Sequence, residues 1–250
     1  MERSAYRRYF ELETSHFWRV AKRRLVLEWL GRYAPAGDGL RILDIGGACS
    51  VIPTELARWG EVEVLEGDED TVRFAREAMG VNIHQAWFPD DVPVKGPYDA
   101  VTMLDVLEHM PDDAKSLRSA RELLKPNGIL LCTVPALKWL WSEHDVALHH
   151  HRRYSRGELV RALDLAGFRV ERVSYYTSLL LPALALQRLA SGLRRALAGR
   201  ASGQPQYDVR PPGLGLNRLF GWVMSAERLW LRVASLPVGS SIIAVCYRRG

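Results

Sequence analysis

Arg41-Ile-Leu-Asp-Ile-Gly-Gly-Ala-Cys-Ser50 reads as a buried strand that ends in an acid and a small-residue turn, with a helical pattern from about Val51. Roughly twenty residues on, a second strand, Val62-Glu-Val-Leu65, ends in Glu66, the spacing of a nucleotide site at the carboxyl edge of a parallel sheet. Small residues let the backbone pass close to a ligand. A carboxylate at the next strand tip can accept from both hydroxyls of a ribose.

Outward from this stretch, strand and helix patterns alternate. The strands are expected at Ile42–Ile45, Val62–Leu65, Val81–His84, Asp99–Leu104, Ile129–Val134 and Phe168–Tyr175, with a final one at Ser241–Tyr247. Helical patterns fall at Pro53–Trp59, Thr71–Met79, Asp112–Leu124 and Arg156–Ala166, and Lys125-Pro-Asn-Gly128 is a turn into the fifth strand. This alternation, with near-continuous apolar strands, argues for an α/β fold with a doubly wound sheet buried on both faces. Residues 1–39 form an N-terminal helical lid rich in aromatics. Residues 40–177 and 238–250 form the core, and 178–237 a basic helical insertion before the last strand.

The 250 residues suffice for one large α/β domain, and 48% hydrophobic with 25% charged residues is a globular composition. Cys49, Cys132 and Cys246 lack metal-ligand spacing, and their odd number fits a reducing compartment better than a disulfide framework. With no apolar signal core at the N-terminus and no window apolar enough to span a bilayer, the expected location is cytoplasmic, with membrane association as an option. The net charge of +5 is uneven. The insertion carries eight arginines against Asp208 and Glu227, a net +6, which leaves the rest at −1.

Four features together resemble the class I S-adenosylmethionine-dependent methyltransferases. They are Leu43-Asp-Ile-Gly-Gly47, Glu66-Gly-Asp68, Asp105-Val-Leu-Glu-His109 and Leu123-Leu-Lys-Pro-Asn-Gly-Ile-Leu-Leu131. The Val-Leu-Glu-His signature is similar to the group that includes quinone-biosynthesis O-methyltransferases. The stretches Leu140–Asp145 and His150–Tyr154 resemble a bacterial subgroup associated with the cell envelope. The resemblance implies a Rossmann-like, seven-stranded sheet with an antiparallel last strand and S-adenosylmethionine as cofactor. It implies cofactor contacts from Asp44, Gly46, Gly47, Ala48, Glu66, Gly67, Asp68, Trp87, Phe88, Asp105, Val106 and Leu107. The family usually has three glycines in its first turn, where this chain has Ala48 and Ser50. It often has an acid near the adenine, where this chain has Trp87.

Each of these residues has a plainer reading. Asp44 can be a turn acid, Asp68 a helix cap, and Glu66 a solvated member of an acidic run. His144, Asp145, His149, His150 and His151 form a dense polar cluster. Methylation of an oxygen calls for a base unless that oxygen is already ionised, and histidine titrates near neutrality. His144 and His109 are the first candidates for that base; spacing alone supports no metal site. Trp18, His149, Arg152 and Arg153 are expected at the acceptor, the arginines suiting an anionic group. The acceptor is expected to be a small molecule, lipid or glycan. Nucleic acid is not expected, because Asn-Pro-Pro-aromatic and appended RNA modules are lacking. A cofactor-binding scaffold at a membrane and an RNA methyltransferase are the alternatives. In the insertion, Leu186, Leu189, Leu193 and Leu197 share one face. Arg218, Ser225, Arg228 and Arg232 share another, with Phe220, Val223, Met224, Trp230 and Leu231 opposite or flanking. These helices could roof the site, touch a membrane surface or pair two copies as a homodimer.

Overall fold

The computed structural model describes residues 10–37, 39–198 and 212–249, with side chains left aside for 191–198. Seven strands form one sheet in the order β3-β2-β1-β4-β5-β7-β6. They are β1 (Leu40–Ile45), β2 (Gly60–Glu66), β3 (Asn82–Gln85), β4 (Tyr98–Leu104), β5 (Leu124–Pro135), β6 (Phe168–Tyr176) and β7 (Ser241–Arg248). The first five are mutually parallel where they pair, while β7 inserts antiparallel between β5 and β6. The strand order switches sides at β1, with β2 and β3 added on one side and β4 and β5 on the other. At that point strand ends leave a crevice.

Strand alternation divides the core in two. Leu43, Ile45, Val101 and Met103 face one cluster, covered by α4 (Asp113–Glu122) and α6 (Arg156–Leu165). Ile42, Val62, Val64 and Ala100 face the other, where Val26, Trp29 and Leu30 of α1 (Phe17–Tyr33) pack beside α2 (Ile52–Leu56) and α3 (Glu69–Ala78). Side-chain caps fix the helix starts: Asp68 accepts from the Thr71 amide (2.8 Å), and Ser155 with Glu158 closes a capping box on α6. The turn expected at Lys125–Gly128 is instead absorbed into β5. There the register against β4 slips between Tyr98 and Ala100, and Asn127 takes a positive φ of 62°.

The insertion holds two helices, α7 (Leu181–Ala198) and α8 (Leu214–Trp230). Part of its arginine stripe turns inward, while Arg218 stays exposed. Arg228 and Arg232 both pair with Glu28 of α1, the latter at 2.7 Å. Phe220 meets Phe17 edge-on at 5.2 Å. Asn217 accepts from the Phe17 amide (3.0 Å) and donates to the Ser15 carbonyl (2.9 Å), clamping the bend between residues 10–15 and α1. Sequence periodicity groups the arginines correctly, but their partner lies two hundred residues away. Tyr6, Tyr9, Arg200, Asp208, Arg210 and the side chains of Leu193 and Leu197 lie outside the described residues.

Glu227 joins the insertion to the sheet. Its buried carboxylate accepts from the amides of Thr177, Ser178 (2.7 Å) and Leu179 (2.9 Å), where Thr177 takes φ 58° as the chain leaves β6. Burial raises its pKa against these three amides. Truncation to Glu227→Ala strands buried amides and should cost about 2–3 kcal/mol in urea unfolding. A loss under about 0.5 kcal/mol, the range of ordinary surface changes, would contradict this role.

Candidate functional site

A cavity of about 740 Å³ opens over the carboxyl ends of β1 and β4. Its floor holds Asp44, Gly46, Gly47 and Asp105, and α1 contributes Phe17, Trp18, Arg19 and Lys22. Glu108, His109, His144, His150 and Arg153 form a polar wall, while Leu180, Ala183 and Leu184 of the insertion and Phe220 of α8 form an apolar roof.

Asp44 is fully buried. One oxygen accepts from the Thr102 hydroxyl (2.5 Å), and the other, Oδ2, has no partner. Gly47 lies directly above: a Cβ there would sit 1.8 Å from Asp44 Oδ2. Gly46, at φ 75°, would drive a Cβ to 2.7 Å from Val106. The turn thus needs both glycines. Burial pushes the Asp44 pKa up to about 7, against the Thr102 hydrogen bond and the Lys22 charge. A cation arriving over the turn would meet an orphaned carboxylate.

Of the two departures from a glycine-rich turn, Ser50 lines the cavity and Ala48 does not. Ala48 is completely buried in the core cluster with Ile52 and Leu56. Ser50 donates to Glu13 (3.0 Å) and accepts from the Ile52 amide (3.2 Å), tying residues 10–15 to the turn.

At the tip of β4, Asp105 takes φ 58° and receives the Lys22 ammonium (2.6 Å) and the Thr133 hydroxyl (2.9 Å). Burial alone would raise its pKa, but Lys22 and Thr133 hold it below the ordinary value. The indole of Trp18 donates to Thr177 (3.1 Å), fixing the start of α1 across the cavity. Beside β1, Glu66 Oε1 accepts from the amides of Gly67 (2.9 Å) and Asp68 (3.2 Å). Trp87, 70% exposed, lays its ring over Gly67, where a Cβ would come within 2.5 Å of it. Glu66, Gly67, Asp68, Trp87 and the buried Phe88 thus lie at the β2 and β3 end of the crevice, outside the cavity wall.

The chain is similar to known proteins. Residues 17–173 match the family model described as a methyltransferase domain. The chain belongs to the S-adenosylmethionine-dependent methyltransferases. It is 31% identical over 163 residues to a ubiquinone biosynthesis O-methyltransferase of Xanthomonas axonopodis pv. citri, covering 57% of this chain and 67% of that one. A protein of the same description from Dinoroseobacter shibae is 34% identical over 152 residues, 52% of this chain and 60% of its own. In fold the chain is similar to the methyltransferase solved with the Haloferax volcanii Trm112 methyltransferase activator, at TM-score 0.62 and 15% identity over 99% of this chain and 95% of that one. It is also similar to a Haemonchus contortus phosphoethanolamine N-methyltransferase solved with S-adenosyl-L-methionine, at TM-score 0.57 and 15% identity over 91% and 53%.

The methyltransferase's residues fit the cofactor. The orphaned Asp44 carboxylate, the Gly46–Gly47 turn that a Cβ would block and the Glu66 carboxylate at the tip of β2 suit its cationic and hydroxyl groups. Val106 packs under Gly46, whereas Leu107 is wholly buried and lies outside the cavity wall. Asp68 serves as the cap of α3.

The histidine cluster sorts differently from its sequence reading. His149, at φ 56°, is exposed and outside the cavity wall. That left-handed residue reverses the chain, so His150 returns to Asp145: Nδ1 lies 3.0 Å from Oδ1, and the His150 amide donates to the Asp145 carbonyl (2.9 Å). Arg152 points away from the cavity toward Asp113 (2.8 Å) and the Pro111 carbonyl. Arg153 lines the wall, but its guanidinium is committed to Asp145 (2.8 and 3.1 Å) and the Ala136 carbonyl (2.9 Å). Burial works to raise the Asp145 pKa, yet His150 and Arg153 hold it well below the ordinary carboxylate range.

His109 and His144 both face the cavity. Burial, then the charge of His150, pushes His109 down to about 4; burial, then Arg188, does the same to His144. Glu108 is buried with neither oxygen hydrogen-bonded, its Oε1 3.9 Å from His150 Nε2, and burial with the nearby Asp105 raises its pKa well above normal. Ligand atoms of Glu108, His109 and His150 lie within 4.8 Å of one another, a geometry that could hold a divalent cation. Sequence spacing gave no sign of this trio. Lys22 and Glu13 were also unmarked, because only the docking of the N-terminal segment brings them to the strand tips.

A cationic ligand over Asp44 should bind its ionised form. S-adenosylmethionine affinity should therefore rise with pH below the Asp44 pKa of about 7, by up to about tenfold per unit. Calorimetry in buffers of different ionisation enthalpy should show proton release on binding. The slope should flatten in Asp44→Asn; an equal slope in both proteins would contradict the assignment.

Proposed function

We propose that this methyltransferase methylates a hydroxyl oxygen of a small-molecule, lipid or glycan acceptor, with His150 as the general base. The Asp145–His150 pair in the cavity wall carries this reading. Asp145 is ionised and can only accept, so Nδ1 bears the proton and Nε2 is left as an acceptor. Asp145 orients the ring and faces the positive charge it gains on taking a proton, and Arg153 fixes Asp145 in turn. Burial depresses the pKa of His109 and His144, which makes each a poor proton acceptor.

S-adenosylmethionine supplies an already activated methyl group, so the protein's work is alignment and exclusion of water. Asp44, Gly46, Gly47 and Glu66 would hold the cofactor. Trp18 and the roof residues Leu180, Leu184 and Phe220 would enclose an acceptor with an apolar body. The names of the quinone-biosynthesis relatives agree with such an acceptor. The N-terminal segment and insertion then act as lids over opposite sides of one cavity.

A second reading rests on Glu108, His109 and His150: a cation held there would polarise the acceptor hydroxyl in place of a base. Transfer of labelled methyl to a panel of catechols, with and without chelator, separates the two. The base reading predicts chelator-insensitive turnover. In His150→Asn, kcat should fall by about a hundredfold or more, with unchanged cofactor affinity and a smaller loss in His144→Asn. Wild-type turnover in His150→Asn would overturn it, and activity abolished by chelation would favour the cation.

A further inference from the structure

The outer face of α8 is built unlike a lid's ordinary surface. Leu214, Leu219, Trp222, Leu229 and Trp230 are all more than half exposed, Trp222 at 80%, and Val233 just beyond the helix reaches 82%. At about 100° per residue these positions fall on one side of the helix. Arg218 is the single charged residue among the exposed positions of α8. The helix's one acid, Glu227, is buried against the 177–179 amides, and Arg228 turns inward to Glu28. The inner side of the same helix supplies Phe220 to the cavity. Contiguous exposed apolar area of this kind marks an interaction surface.

Charge selects the occupant. Residues 178–237 carry a net +6, and α8 exposes no carboxylate, so two copies placed face to face would bring like charges together. An anionic lipid surface complements the exposed Arg218 and the positive charge of the segment, and tryptophans beside leucines suit the boundary between headgroups and acyl chains. No described helix is long and apolar enough to cross a membrane, which leaves contact from one side.

We propose that α8 docks the protein on an anionic bilayer through the face centred on Trp222. The face lies one helix away from the cavity, a placement suited to an acceptor that resides in lipid.

The test is co-sedimentation of the full chain with phosphatidylcholine vesicles containing about one-third phosphatidylglycerol, against pure phosphatidylcholine. Wild type should partition strongly onto the mixed vesicles and weakly onto the neutral ones, with binding reduced by salt. The double variant Trp222→Ser/Trp230→Ser should lose about tenfold or more of the partitioning, and Arg218→Glu should lose part of it. Both variants change exposed side chains, so unchanged cofactor affinity will show that they are folded. Three results overturn the proposal: no partitioning by folded wild type, equal partitioning by the double variant, or a concentration-dependent dimer that the double variant abolishes while vesicles are ignored. Cofactor binding without vesicle binding defeats this proposal alone. Vesicle binding without methyl transfer defeats the proposed function alone.

Discussion

Two carboxylates, Asp44 and Asp105, end neighbouring strands in the protein interior, and one ammonium, Lys22, acts on both. Burying an acid is costly unless it is paired or hydrogen-bonded. Asp105 has Lys22 and Thr133, and it ionises readily. Asp44 has Thr102 alone at hydrogen-bonding distance and is held up near neutrality. The site is therefore incomplete in charge at one defined point, under the Gly46–Gly47 turn. Lys22 can reach the strand tips only when α1 is docked, and α1 is held by Glu28 to α8 and by Trp18 to Thr177. Cavity floor, wall and roof thus depend on one another through a short series of polar contacts.

The same logic shapes the polar wall on which the proposed base stands. A left-handed His149 folds the chain back so that His150 meets Asp145, and Arg153 locks that pair from behind. The result is a polar wall facing an apolar roof, with the cofactor turn on the floor. Binding and proton removal come from different elements of the fold, so substitutions should separate them.

The parts of this arrangement legible in the sequence were those set by local pattern. Strand periodicity located β1, β2 and β4, and the strand-acid-turn order marked Asp44, the glycines and Glu66. Alternation at short spacing is what a parallel sheet demands, so the fold followed from it. What remained hidden was non-local. Lys22 and Glu13 carry no local signal in the sequence. His149 and Arg152 were grouped with the site because neighbouring residues look alike on paper, yet one positive φ sends consecutive histidines in opposite directions. Periodicity grouped the arginines of α8 but could not say which side faced inward; Glu28 decides that.

The most direct test is a calorimetric titration of S-adenosylmethionine into wild type and Glu66→Ala. The account predicts about micromolar affinity in wild type and a loss of about tenfold or more when the Glu66 carboxylate, proposed to face the ribose, is removed. A folded wild-type protein that binds no S-adenosylmethionine, or a Glu66→Ala variant that binds it equally well, would contradict it.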